Sequence, residues 1–227
     1  METPIGRALK SDRFGRWVAV TASSVVVSLD LALTRAGQLT QARQYILTFA
    51  AVISIGFLAV RDRDLASFGI RPSPLQGWWY WIKAIVVIGA ILVIVLAAMG
   101  SFVFGILRYP IPRPQIQAYL SHDPRVWPLF YWMCVYAPIT EEAIYRFALC
   151  TSMAALMGPR AAIVISGVMF AASHVLGGNV GPDNQIAGFV LAWAFLKSGS
   201  LAVPLAFHAL GNLCALAFHL SWFYWNQ

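Results

Sequence analysis

Residues 127–150, WPLFYWMCVYAPITEEAIYRFALC, decide the fold. The stretch is apolar over a length that crosses a bilayer, for which about 20 residues suffice. Yet it carries two adjacent carboxylates, Glu141 and Glu142, and a guanidinium, Arg146. Charged groups inside a span are costly and rarely accidental. Glu142 and Arg146 stand four apart, so they share a helix face and can pair. Glu141 lies about 100° round the helix and points elsewhere. One carboxylate therefore neutralises the buried arginine while the other stays free. The blander alternative is an ion-paired cluster that only pins helices together. Pro138, just before the pair, can open the helix there to water.

The rest of the chain has the same character. Of 227 residues, 59% are hydrophobic and only 11% are charged. Mean hydropathy is +0.70. A soluble domain carries about a quarter charged residues. The composition excludes a disordered chain, a disulfide scaffold and an ordinary soluble enzyme. The net charge of +7 would suggest nucleic acid in a soluble chain. Here the basic residues fall mostly between apolar runs, so the lipid bilayer is the expected partner and nucleic acid is not. Cys134, Cys150 and Cys214 lie in apolar runs without CxxC spacing and are expected to be buried small residues.

Seven spans are expected, with eight as the alternative: 17–34, 45–60, 78–107, 127–150, 160–176, 184–197 and 201–225. A basic, polar head over residues 1–16 precedes them. The first run is read as a retained span rather than a signal peptide, because further spans follow. Asp30 sits near the end of that run and is expected at the interface. Residues 68–74 and the proline-rich 108–128 are loops. Trp78, Trp79, Tyr80 and Trp81 read as an interfacial belt. Gly167, Gly188 and Gly211 suit close helix packing. Residues 1–67 form the head and two accessory spans, and 68–227 form the core. The basic residues favour a cytoplasmic N-terminus: that side holds the head and most later cations, against Arg35, Arg43, Arg108, Arg113 and Arg125 outside.

Other polar groups lie deep in other runs. His174 is in the fifth, and His208 is in the last, with Asn212 one turn later on the same face. A lone buried histidine is usually a hydrogen-bonded core residue. Two of them, an asparagine and an unpaired glutamate at similar depth supply a base and hydrogen-bond donors, or a His₂Glu metal set. His122 in a polar loop and His219 near the membrane edge are expected to be structural. No Walker loop, dinucleotide fingerprint, HExxH or GxSxG triad is present.

Glu141-Glu142-Ala143-Ile144-Tyr145-Arg146 fits EExxxR, Phe170 to His174 fits FxxxH, and His208 to Asn212 fits HxxxN. In that order, each on its own apolar helix, they resemble the CAAX protease and bacteriocin-processing (CPBP) family of intramembrane endopeptidases. That family includes the Ras-converting CAAX prenyl endopeptidase. Phe68-Gly69-Ile70-Arg71 before a long span also resembles its bacterial members. The resemblance covers residues 68–220, with strict motifs only in 138–212. It implies an all-α, polytopic transmembrane helical bundle, integral to the plasma (inner) membrane of a prokaryote. It implies hydrolysis of a peptide bond near the terminus of a membrane-anchored protein or peptide: a prenylated C-terminus, a leader or a C-terminal sorting segment. Glu141 would be the catalytic carboxylate, polarising a water with His174. His208 and Asn212 would stabilise the oxyanion, and Glu142 and Arg146 would support the site. The family has been treated both as metal-dependent and as glutamic-type. Glu141, His174 and His208 would hold zinc in the first version. The second needs no metal, and it is favoured because His208 and Asn212 suit oxyanion donors. No soluble cofactor is implied. The competing reading is a catalytically silent adaptor or immunity protein of the same fold. A small proton-coupled carrier using Glu141, His174 and Asp30 is a third.

Overall fold

The computed structural model describes residues 3–106, 120 and 125–225. These residues form helices joined by short turns, with no strand among them. A single short turn, α1 (Arg7–Ser11), leads into α2 (Arg13–Arg35) and α3 (Gln41–Arg61). A 3₁₀ turn, Leu65–Phe68, precedes α4 (Trp78–Gly100), which runs on into a wide-turned segment, Ser101–Ile106. Helix α5 is one continuous rod over residues 126–157. It is followed by α6 (Pro159–Leu176), α7 (Pro182–Ser198) and α8 (Ala202–Trp225).

Five of these, α2, α3, α4, α6 and α8, are long and apolar enough to cross a membrane by length and composition. Helices α5 and α7 occupy the fourth and sixth expected runs. The architecture is thus an all-α polytopic bundle. Trp81 is the only buried residue of α4, which exposes Val86, Val87, Val93 and Ile94. An apolar helix bare on nearly every side suits lipid, not water.

Helix α5 alternates α turns with π turns at Tyr131–Tyr136 and Glu142–Cys150. Pro138 lacks an N–H, and its ring crowds the carbonyl one turn back. The wide turn preceding it makes room for that ring. Every residue of the second π segment is buried. Such segments are rare and mark functional sites more often than chance.

Three expectations need correction here. The basic, polar head is not polar throughout. Ile5 and Leu9, four apart, are fully buried, while Arg7 and Lys10 stay exposed. The Gly6 N–H donates to the Ser67 carbonyl at 2.7 Å, and the Thr3 hydroxyl to the Leu196 carbonyl at 2.7 Å. Cys214 is exposed, on an outward face of α8. Gly167 and Gly188 do mark a close helix contact, since a Cβ on Gly188 would stand 2.8 Å from the Gly167 carbonyl. Gly211 has open space beside it. Most of the proline-rich 108–128 stretch, with His122, lies outside the described residues, and Val126 onward is already helix.

One apolar cluster runs through the bundle. Val26 and Val27 of α2 and Leu47 and Ile55 of α3 pack in it with Ile144 and Phe170. The first two spans therefore lie against the face of α5 that carries Glu141, Ile144 and Tyr145.

Candidate active site

Glu142 and Arg146 are almost wholly buried, at 1% and 0% exposure. Glu142 Oε2 lies 3.2 Å from Arg146 Nε, an ion pair whose angle is not that of a hydrogen bond. Arg146 Nη2 donates to the Gly188 carbonyl at 3.3 Å, and the guanidinium stands 4.4 Å from the Phe170 ring centroid. The pair expected from the spacing is formed, but Glu142 does more. Its Oε1 lies 2.8 Å from His208 Nδ1. A carboxylate held by arginine can only accept, so Nδ1 carries the proton. The other ring nitrogen of His208, Nε2, faces Glu141 Oε2 at 3.7 Å.

His174 is fixed in the same way by a different acceptor. Its Nδ1 lies 3.0 Å from the Phe170 carbonyl, one helical turn back. A carbonyl cannot donate, so Nδ1 again holds the hydrogen and Nε2 is left for other partners. The Phe170 ring is a hub. Its centroid is 4.5 Å from His174, 5.5 Å from Tyr145 and 5.8 Å from His208.

A cavity of about 290 Å³ opens beside α5, and its polar wall includes Asp30, Gln44, Glu141, Tyr145, His174 and Asn179. Glu141 and His174 share this wall. His208 is not among the lining residues, but its Nε2 lies near Glu141 Oε2. Asn212 is elsewhere: its amide donates to the Met133 carbonyl at 2.7 Å and ties α8 to α5. Asp30 is not interfacial. It is 3% exposed, and its Oδ2 accepts from the Tyr145 hydroxyl at 2.5 Å. The packing of α2 on α5 carries the aspartate inward to that donor. Gln44 of α3 accepts from the Tyr136 hydroxyl at 3.1 Å and donates to Thr140 at 3.3 Å.

Residues 123–214 match a family model described as Rce1-like: Type II CAAX prenyl endopeptidase Rce1-like. This segment, less than half of the 227 residues, is similar to that family's domain. It holds all three motifs, from Glu141 to Asn212, and the family is a peptidase family. With the five apolar helices, this match supports an integral membrane protein. No curated protein and no solved structure matches the chain. The matched segment contributes Glu141, Tyr145 and His174 to the cavity wall. Asp30 and Gln44 come from helices outside it. Sequence reading gave Phe170 only a place in a motif and Tyr145 and Gln44 none. The four-residue spacing of Phe170 to His174 and of Glu141 to Tyr145 was the available signal.

A zinc ion would need three donors converging on one point. Among the described residues, no three His, Cys, Asp or Glu side chains form a metal-holding group. His174 lines the cavity with Glu141, whereas His208 is not among the lining residues. In this arrangement the donor set does not fit, and no step below passes through a metal.

Proposed function

We propose that the chain is an intramembrane endopeptidase in which Glu141 and His174 activate one water for attack on a peptide bond. The observation that carries this reading is the position of Glu141. It is the carboxylate that Arg146 does not engage, it shares a cavity wall with His174, and it lies 3.7 Å from His208 Nε2.

A water hydrogen-bonded to Glu141 attacks the scissile carbonyl carbon. Its proton passes to Glu141 or to His174 Nε2 as the C–O bond forms. The carbonyl oxygen becomes an oxyanion. The second amide N–H of Asn212 stabilises it, as does His208 when its Nε2 has taken a proton from solvent before the attack. The proton that Glu141 or His174 took from the water then goes to the leaving nitrogen as the C–N bond breaks. The new carboxyl group gives its own proton to the freed amine, so the products are a carboxylate and an ammonium group. Glu142 keeps the His208 ring oriented throughout, and Arg146 holds the other oxygen of Glu142.

A cavity within the bundle receives a chain that arrives extended and close to its own membrane anchor. The substrate is therefore a membrane-anchored protein or peptide cleaved near its terminus: a prenylated C-terminus, a leader or a C-terminal sorting segment. The N-terminus of the enzyme faces the cytoplasm.

The test compares membrane peptides from cells with the gene, without it, and with Glu141→Gln. One species should change its terminus with the wild-type gene alone. An unchanged peptide set, or a Gln variant that keeps the wild-type phenotype, would point to an adaptor instead.

A further inference from the structure

The cavity that holds Glu141 and His174 lies toward one end of the bundle. Its rim takes Thr34 from the last turn of α2, Leu39 from the turn that follows, Gln44 from the first turn of α3 and Asn179 from the turn after α6. These chain ends meet: a Cβ on Gly177 would stand 3.5 Å from the Thr34 methyl. The Tyr136 hydroxyl, which donates to the Gln41 carbonyl at 3.3 Å, sets the first half of α5 against the same end. Asn179 and Trp132 at the rim are exposed, while Ile144 and Tyr145 at the floor are each 1% exposed. His174 itself is two residues short of the end of α6 at Leu176.

The opposite end of the bundle is packed shut by the N-terminal head. Ile5 and Leu9 are fully buried there, and a Cβ on Gly6 would stand 2.9 Å from the Ala155 nitrogen, near the end of α5. The Thr3 hydroxyl reaches the Leu196 carbonyl near the end of α7. Arg61 at the end of α3 pairs with Asp12 at the start of α2. Between the cavity floor and this end, α5 is buried at every residue from Glu142 to Ala155. Among the described residues, the cavity therefore opens away from the head.

The two ends differ in charge. Most of the chain's lysines and arginines fall at the head's end, among them Arg7, Lys10, Arg61, Arg63 and Arg160. Basic residues gather on the cytoplasmic side. The mouth, with Arg35 and Arg43 near it, is then at the outer face. An extended segment carries unpaired amides, which are costly in lipid. It enters by a rim that offers Gln44 and Asn179, not through the sealed apolar end.

We propose that the hydrolytic site is entered from the membrane face opposite the N-terminal head, so that its substrate presents the scissile bond at the outer face, beside its own anchor. A prenylated C-terminus lies at the cytoplasmic surface and does not meet this mouth. The substrate class that does is a leader or C-terminal sorting segment left at the outer face by an anchor helix. The inference rests on the hydrolytic reading above, so its test reads entry separately from cleavage.

Right-side-out vesicles are prepared from cells expressing the full-length protein with the exposed Cys214 changed to serine. One cysteine is added at a time: Lys10→Cys in the head, Asn179→Cys at the mouth, or Ser173→Cys in the cavity wall. A charged, membrane-impermeant methanethiosulfonate is supplied outside. Asn179→Cys and Ser173→Cys should be modified in sealed vesicles, and Lys10→Cys only after detergent opens them. Modification of Lys10→Cys in sealed vesicles, or of Ser173→Cys only after opening or not at all, would overturn the proposal. In parallel, the peptide that the wild type cleaves is joined to an anchor helix in two orientations, with the scissile segment outside or inside. Only the outward-facing form should be cut, and cleavage of the inward-facing form would contradict the inference. If neither is cut, the hydrolytic reading falls and the substrate class with it. Modification of Ser173→Cys from outside would then still support the outer mouth.

Discussion

Glu142 faces two partners with its two oxygens, Arg146 on one side and His208 on the other. Removing its charge therefore does two things. It leaves a fully buried guanidinium without its anion, which costs about 3–5 kcal/mol. It also frees the His208 ring to turn. Glu142→Gln should lower the unfolding free energy in detergent by that amount and abolish turnover. Glu141→Gln should leave stability nearly unchanged, because no buried cation depends on Glu141. Asn212 separates two roles. If its second N–H meets the oxyanion, Asn212→Ala should lose about 10²–10³ in kcat at unchanged KM. If it only ties α8 to the Met133 carbonyl, stability falls and kcat of the folded fraction does not. Residue-scale legibility follows chain distance. The Glu142–Arg146 pair was readable because four residues on a helix fix the geometry. The bond from His208 to Glu142 was not, since its partners are 66 residues apart and meet only when α8 packs on α5. Asp30 was misread for the same reason, its donor lying 115 residues away.

At the scale of elements, the bundle depends on close contacts that small residues allow. Gly188 in α7 sits over Gly167 in α6, and its carbonyl receives Arg146. A Cβ there would press on backbone, which cannot rotate away. Gly188→Val should destabilise by about 1–3 kcal/mol and lower turnover through the displaced guanidinium, both read in one denaturation and activity series. The helical stretches were legible because runs of about 20 apolar residues admit little else in a membrane. The ends were less so. Helix α2 begins at Arg13, inside the expected head, because Ile5 and Leu9 dock and draw the chain in. The π turns of α5 had one visible sign, Pro138, and its effect depends on how the preceding turn adapts.

At the scale of the whole molecule, the bundle solves one problem: holding a polar chamber inside an apolar solvent. The Rce1-like segment brings the carboxylates and imidazoles, and α2 and α3 close the chamber with Asp30 and Gln44. Helix α4 packs on α7 and α8 through Trp81, Ala84, Ile85 and Ile88 and is otherwise bare. The fold class was readable from composition, since 59% hydrophobic and 11% charged residues leave few alternatives. That the first spans line the same chamber was not readable, because they carry no motif.

The most direct measurement is single-turnover cleavage of a membrane-anchored peptide by purified protein in lipid vesicles, for the wild type and for Glu141→Gln. The account predicts that the variant still binds the peptide but cleaves it at least about 10² more slowly. Cleavage by the Gln variant at close to the wild-type rate would contradict it.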